Sequence, residues 1–157
     1  MRIATPLGPL RIEGTDDAVT AVAWDDGPID DDGPAAVTRA AGQLVEYLAG
    51  DRRHFDVPVD LGPVGAFQRQ VLDLTVAIPF GTTRAYGELA ADLGDPSVVR
   101  AVGGALKYNP IAVIVPCHRV VAADGALTGY GGGPTNGGRL DVKRALLDLE
   151  QGIGRLF

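Results

Sequence analysis

Apolar positions in residues 1 to 33 fall in short segments around Ile3, Leu10 to Ile12 and Val19 to Trp24. The breaks between them are Gly8-Pro9, Gly14 to Asp17 and the polar run Asp25 to Gly33, a spacing that predicts a meander of short strands. From Pro34 to Ala49 the period changes: Ala36, Val37, Ala40, Ala41, Leu44, Val45 and Leu48 recur at helical intervals, with Pro34 suited to the first turn and Gly50 to the stop. Trp24 reads as a core residue of this layer and His54 as a solvated loop residue. Phe55 to Gly65 contains Pro58, Gly62 and Pro63, so it cannot be continuous helix and reads as an extended link between two subdomains.

Beyond the link, Phe67, Val71, Leu74 and Ile78 predict a second helix closed by Pro79, and Tyr86, Leu89, Ala90 and Leu93 a third that stops at Gly94. Asp95 can cap a fourth helix with Pro96 as its first residue, which makes the third and fourth a helix-turn-helix candidate. On the fourth helix Val98, Val99, Val102, Ala105 and Leu106 share one arc. Arg100, Gly103, Gly104 and Lys107 occupy another, about 140° to 240° away at 100° per residue. Two glycines inside a helix each cost roughly 1 kcal/mol relative to alanine. They suit either a partner such as a DNA groove approaching between the two cations, or a tight helix contact inside the protein.

With 157 residues, 46% apolar and 22% charged, the chain fits an ordinary globular protein and excludes disordered and membrane classes. The start has no apolar run ahead of a cleavage site, so a cytoplasmic location is expected. Net charge is −6, unevenly spread: residues 1 to 60 hold 12 acidic residues against five arginines, whereas the remainder is close to balanced at +1. A polyanion would therefore have to approach the second half.

The chain has one cysteine, Cys117, and two histidines, His54 and His118, which leaves no set of ligands for a structural metal. Ile111 to Val115 is an apolar run of strand length, interrupted by Pro116-Cys117-His118-Arg119 before Val120-Val121. An isolated cysteine is commonly a small buried hydrophobe. Here His118 offers a base and Arg119 a fixed charge, both of which favour thiolate and would lower the thiol pKa from about 8.5. The glycine-rich stretch after Tyr130 lacks the lysine and hydroxyl spacing of a phosphate loop.

Several segments together resemble the O6-alkylguanine-DNA alkyltransferases, the methylated-DNA-protein-cysteine methyltransferases. These are Asn109 to Val121 around Pro116-Cys117-His118-Arg119, Arg100 to Ala105, Ala85 to Ala90 and Gly125 to Tyr130; Gln43 to Val57 with Phe67-Gln68 also fits, and the resemblance is weakest over residues 1 to 33. The resemblance implies an α/β fold: a small N-terminal α/β, ribonuclease H-like subdomain with its linker (1–61), then an α-rich winged helix-turn-helix domain (62–157) carrying DNA binding and catalysis. It implies a single-turnover, suicide methyltransferase that moves alkyl groups from O6-alkylguanine in double-stranded DNA to Cys117, with no cofactor, metal or membrane partner, acting as a monomer. O4-alkylthymine is a further substrate that it leaves open.

By the same resemblance His118 deprotonates Cys117 through a water, Glu150 orients His118, and Tyr86 protonates the departing guanine. Arg100 fills the space left by the flipped nucleotide, and Gly103, Gly104, Lys107 and Arg84 face DNA. Asn109 is the turn joining the DNA-binding helix to the active-site strand, while Val120, Tyr130 and Gly131 line the base pocket. The chain departs from the family pattern in an insertion near Pro134 to Arg139, in Gly131 where many relatives have serine, and in Leu72 where an aromatic is common. A cysteine hydrolase built on Cys117 and His118, and a non-catalytic sensor of damaged DNA, are the competing readings.

Overall fold

The computed structural model describes residues 1–130, 139–154 and 156, which form a mixed α/β arrangement. The meander is a three-stranded antiparallel sheet of β1 (Arg2–Ile3), β2 (Leu10–Gly14) and β3 (Val19–Trp24), with Leu10 opposite Trp24 and Ile12 opposite Val22. Leu10, Ile12, Val19 and Val22 are buried and meet Ala36, Val37, Ala40, Leu44 and Leu48 of α1 (Ala35–Leu48) in a common core. Pro34 stands one position earlier than expected, as the residue capping α1, where its extended backbone (ψ 163°) sets the entry. Gly50 closes the helix at φ +84°. Trp24 is half-buried and packs at the margin of the core.

The link from Phe55 to Gly65 runs as irregular chain touching the sheet at Val59. α2 (Ala66–Val76), β4 (Arg84–Ala85) and α3 (Tyr86–Asp92) follow. Glu88 starts α3 by accepting from the Ala85 amide at 3.1 Å. Gly94, at φ +85°, ends it: the Gly94 and Asp95 amides return to the carbonyls of Ala91 and Ala90. Asp95 then accepts from the Ser97 amide at 3.0 Å and opens a 3-10 turn, Pro96–Val98, that leads into α4 (Val99–Lys107). α4 packs on both α2 and α3.

The run Ile111 to Val115 is not the strand that its composition predicts. Ile114 N bonds back to Ala112 O at 2.8 Å, and Val113 takes φ +70°, a conformation strained for a β-branched residue. The segment is folded on itself, and what it gives the sheet is one bridge, from Val22 to Ile111. Backbone bonds from Val22 N to Pro110 O and from Ala112 N to Val22 O seat it beside β3. Burial on all sides explains the apolar composition without an extended ladder. A 3-10 turn (Cys117–Arg119), β5 (Val120–Val121, parallel to β4) and α5 (Leu140–Glu150) complete the described elements. Among them no helix is long and apolar enough to cross a membrane.

Candidate active site

Pro116 puts Cys117 at the head of the 3-10 turn, where the Cys117 amide reaches Val115 O at 2.8 Å and the Arg119 amide reaches Pro116 O at 2.9 Å. Asn109 holds this turn against the end of α4. Its Oδ1 accepts from the Ile111 amide (3.0 Å), and its Nδ2 donates to Val115 O (3.0 Å) and to Cys117 Sγ (3.2 Å). The thiol is buried, and burial pushes its pKa up, against the pull of the Asn109 hydrogen bond and the Lys143 charge. This corrects the expectation of a depressed thiol: Arg119 is committed to another partner, and desolvation of the thiolate dominates.

That partner is Glu150, at the last turn of α5. Arg119 donates to both carboxylate oxygens, through Nη2 to Oε1 at 2.8 Å and Nε to Oε2 at 3.0 Å, and through Nη1 to Ile78 O at 2.7 Å. His118 Nε2 lies 2.8 Å from the same Oε1, and the Tyr47 hydroxyl donates to it at 2.6 Å. Burial alone would raise the Glu150 carboxyl, but the bonds from His118, Arg119 and Tyr47 outweigh it and hold it at about 2. A carboxylate can only accept, so His118 Nε2 carries a proton. Burial lowers the His118 pKa, so the ring is neutral and Nδ1 keeps its lone pair. Nδ1 is buried and has no hydrogen-bond partner among the described residues. The arrangement is an oriented, uncharged base directly following the thiol in the chain.

Tyr86, at the start of α3, donates to Thr128 O at 3.1 Å and accepts from Lys143 Nζ at 3.3 Å. Lys143 is buried and also donates to the carbonyls of Thr128 and Gly129, which fixes the approach to Tyr130. Tyr130 is buried edge-on to the His118 ring, with centroids 6.5 Å apart, and Val120 is fully buried. Gly131 and most of the Pro134 to Arg139 insertion lie outside the described residues.

On α4, Arg100, Gly104 and Lys107 are exposed and Gly103 half-exposed, and none of the described residues lies within 4 Å of where a Cβ on either glycine would sit. Among the described residues, no internal helix contact accounts for the two glycines. Arg84 differs from Arg100: it is engaged by Asp92 at 2.6 Å and Glu88 at 3.4 Å, so its charge is largely spent within the protein.

A family model described as "6-O-methylguanine DNA methyltransferase, DNA binding domain" matches residues 66–152. The methylated-DNA–protein-cysteine methyltransferase of Mycobacterium tuberculosis is 43% identical over 155 residues, covering 95% of this chain and 90% of that protein. The chain belongs to the methylated-DNA–protein-cysteine methyltransferase family. The Methanosarcina acetivorans member is 41% identical over 93% of the chain and 94% of its own length. Among solved structures, M. tuberculosis OGT in complex with DNA superposes with a TM-score of 0.84 at 42% identity, covering 98% of this chain and 93% of that one. The Methanococcus jannaschii O6-methylguanine DNA methyltransferase does so with 0.66 at 28% identity, covering 96% and 93%.

Placed in this methyltransferase, the sequence-derived residues form three groups. Asn109 bonds the Cys117 thiol and Glu150 bonds His118, the next residue, Tyr86 stands with Lys143 and Thr128, and Arg100, Gly103, Gly104 and Lys107 share one face of α4. Sequence reasoning missed Tyr47 and Lys143. A tyrosine between Leu44 and Leu48 on the buried face of α1, and a lysine between Val142 and Leu146 on that of α5, were the available signals: each is a polar group at a core position, needing a partner.

Proposed function

We propose that this chain repairs duplex DNA by transferring the alkyl group of an O6-alkylated guanine irreversibly to Sγ of Cys117. Transfer to a cysteine is the activity of its family and of this member. His118 Nδ1 takes the thiol proton through a water, and Glu150 holds the imidazole by Nε2. The thiolate attacks the alkyl carbon in line, an S–C bond forms as the C–O6 bond breaks, and the electron pair leaves on the base. A soft thiolate suits attack on an alkyl carbon, and protonation of the departing guanine by the Tyr86 hydroxyl helps it leave. Tyr86 must give up its bond to Thr128 O to do so.

A base cannot be reached inside the stack, so the nucleotide is flipped. Arg100 fills its place, α4 lies in the minor groove with Gly103 and Gly104 against the DNA, and Lys107 meets a phosphate. Arg84, neutralised by Asp92 and Glu88, contributes little. Tyr130, Val120 and Gly131 line the base pocket, with Asn109 at its hinge. In this reading residues 1–61 form a ribonuclease H-like subdomain and 62–157 a winged helix-turn-helix domain. In this reading the chain acts as a monomer.

The observation that carries the proposal is a buried thiol bonded by Asn109 and followed by a neutral histidine anchored on a buried carboxylate. The thioether product has no acyl carbon for water to attack, which sets it apart from a cysteine hydrolase. The presence of Cys117 sets it apart from a sensor that only binds. Titration of the protein with duplex carrying labelled O6-methylguanine should stop at one methyl per molecule. Continued turnover would support the hydrolase, and binding without transfer the sensor.

A further inference from the structure

Glu150 and His118 lie in the second half of the chain, yet the shortest hydrogen bond that Glu150 receives comes from α1, 103 residues earlier. The Tyr47 hydroxyl donates to Oε1 at 2.6 Å, the oxygen that also takes His118 Nε2 at 2.8 Å, and it lies 3.4 Å from Nε2 itself. Its ring is fixed by Phe55 (centroids 5.3 Å apart) and, edge-on, by Phe80 (6.3 Å). The side chain is buried. We infer that Tyr47 is a positioning residue of the alkyl-transfer site, supplied by α1, whose hydroxyl turns Oε1 of Glu150 toward His118 and limits how strongly that carboxylate supports a protonated imidazole.

Oε1 receives Tyr47 O–H, His118 Nε2–H and Arg119 Nη2–H together, so its negative charge is divided among three donors. Burial pushes the Tyr47 phenol far above its ordinary range, so it remains a donor wherever the protein is folded. Removing that hydrogen bond returns charge to Oε1, which stabilises the imidazolium and raises the pH at which His118 becomes a free base. The other groups facing His118 are Cys117 and Arg119 of its own turn, Lys143 and Glu150 of α5, and Tyr130. α2, packed against the same turn, buries only Val71, Leu72 and Thr75. Of the groups facing His118, Tyr47 is the neutral donor to its carboxylate. The role also gives residues 1–61 a part in the chemistry besides their part in the core.

The inference rests on the proposed role of His118 as the base. Its test is the rate of methyl transfer from an O6-methylguanine duplex across pH, for the wild type, for Tyr47→Phe, and for the chain with 3-fluorotyrosine at position 47. Phenylalanine keeps the ring between Phe55 and Phe80 and removes the donor, so the acid limb of the profile should move up by about half to one pH unit, with the rate above it little changed. Fluorotyrosine keeps the shape and donates more strongly, so the limb should move down. If Tyr47→Phe does not fold, the fluorotyrosine chain decides alone. A limb unmoved by the fluorotyrosine, or by both changes with only the melting temperature lowered, overturns the inference. Failure of the wild type to transfer at all rejects the reading beneath it instead.

Discussion

Glu150→Gln keeps the shape of the side chain that joins His118, Arg119 and Tyr47 and removes its charge. With the carboxyl held at about 2 in the folded protein against an ordinary 4.5, the charged form contributes about 3 kcal/mol of stability at neutral pH, at 1.36 kcal/mol per unit. An independent route gives the same size: removing one partner of a buried ion pair costs about 3 to 5 kcal/mol, because the other charge is left unpaired, here Arg119. For a chain of this length that is a fall in Tm of about 6 to 12 °C. The folded pKa is below the unfolded one, so this stability is present above pH 4.5 and lost as pH falls toward 2. The gap between wild type and variant should therefore close across that window. Urea unfolding of both proteins at neutral pH and at steps down to the acid limit measures it. A neutral-pH loss under about 1 kcal/mol, or a gap that stays constant into acid, would refute the account of Glu150 as the anchor of the site.

Arg100→Ala should slow transfer from duplex DNA far more than from a free benzylated guanine, since it is assigned to the flipped state; equal losses would move it into the chemistry or the fold. Salt dependence of DNA binding should be shallow, with Z of about 2 from Arg100 and Lys107 at a slope of about −0.9 per phosphate. Lys107→Ala should lower that slope by about one unit and Arg84→Ala should leave it unchanged, and the reverse order would redraw the footprint. Gly104→Ala, with open space around the new methyl, should stabilise the protein by up to about 1 kcal/mol in a thermal melt while weakening duplex binding. Unchanged affinity would mean that α4 does not approach DNA closely there.

The helices and the meander were legible because each rests on a local period with its own stop signals. The 3.6-residue repeat of α1 ends at Gly50 and that of α3 at Gly94, and both glycines adopt the positive φ that makes them stops. Ile111 to Val115 was misread because an apolar run reports burial rather than extension. Val113 adopts its strained turn because Asn109 and β3 fix both ends of the segment, which composition does not encode. Cys117, His118 and Glu150 could be named from motif and resemblance. The raised thiol could not, since it depends on burial of Cys117 by segments that only the folded chain brings together. Tyr47 and Lys143 escaped for the same reason: their partners are distant in sequence, and only the folded chain pairs a buried phenol with Glu150 and a buried ammonium with Tyr86.

The central claim is that Cys117 is itself the acceptor. The intact mass of the protein after incubation with duplex carrying O6-methylguanine, followed by mapping of the modified peptide, tests it most directly. The wild type should gain the mass of one methylene per molecule, confined to the peptide containing Cys117. Cys117→Ser should bind the same duplex and gain none. A modification elsewhere, a gain in the serine variant, or restored guanine with the protein mass unchanged would contradict transfer to Cys117.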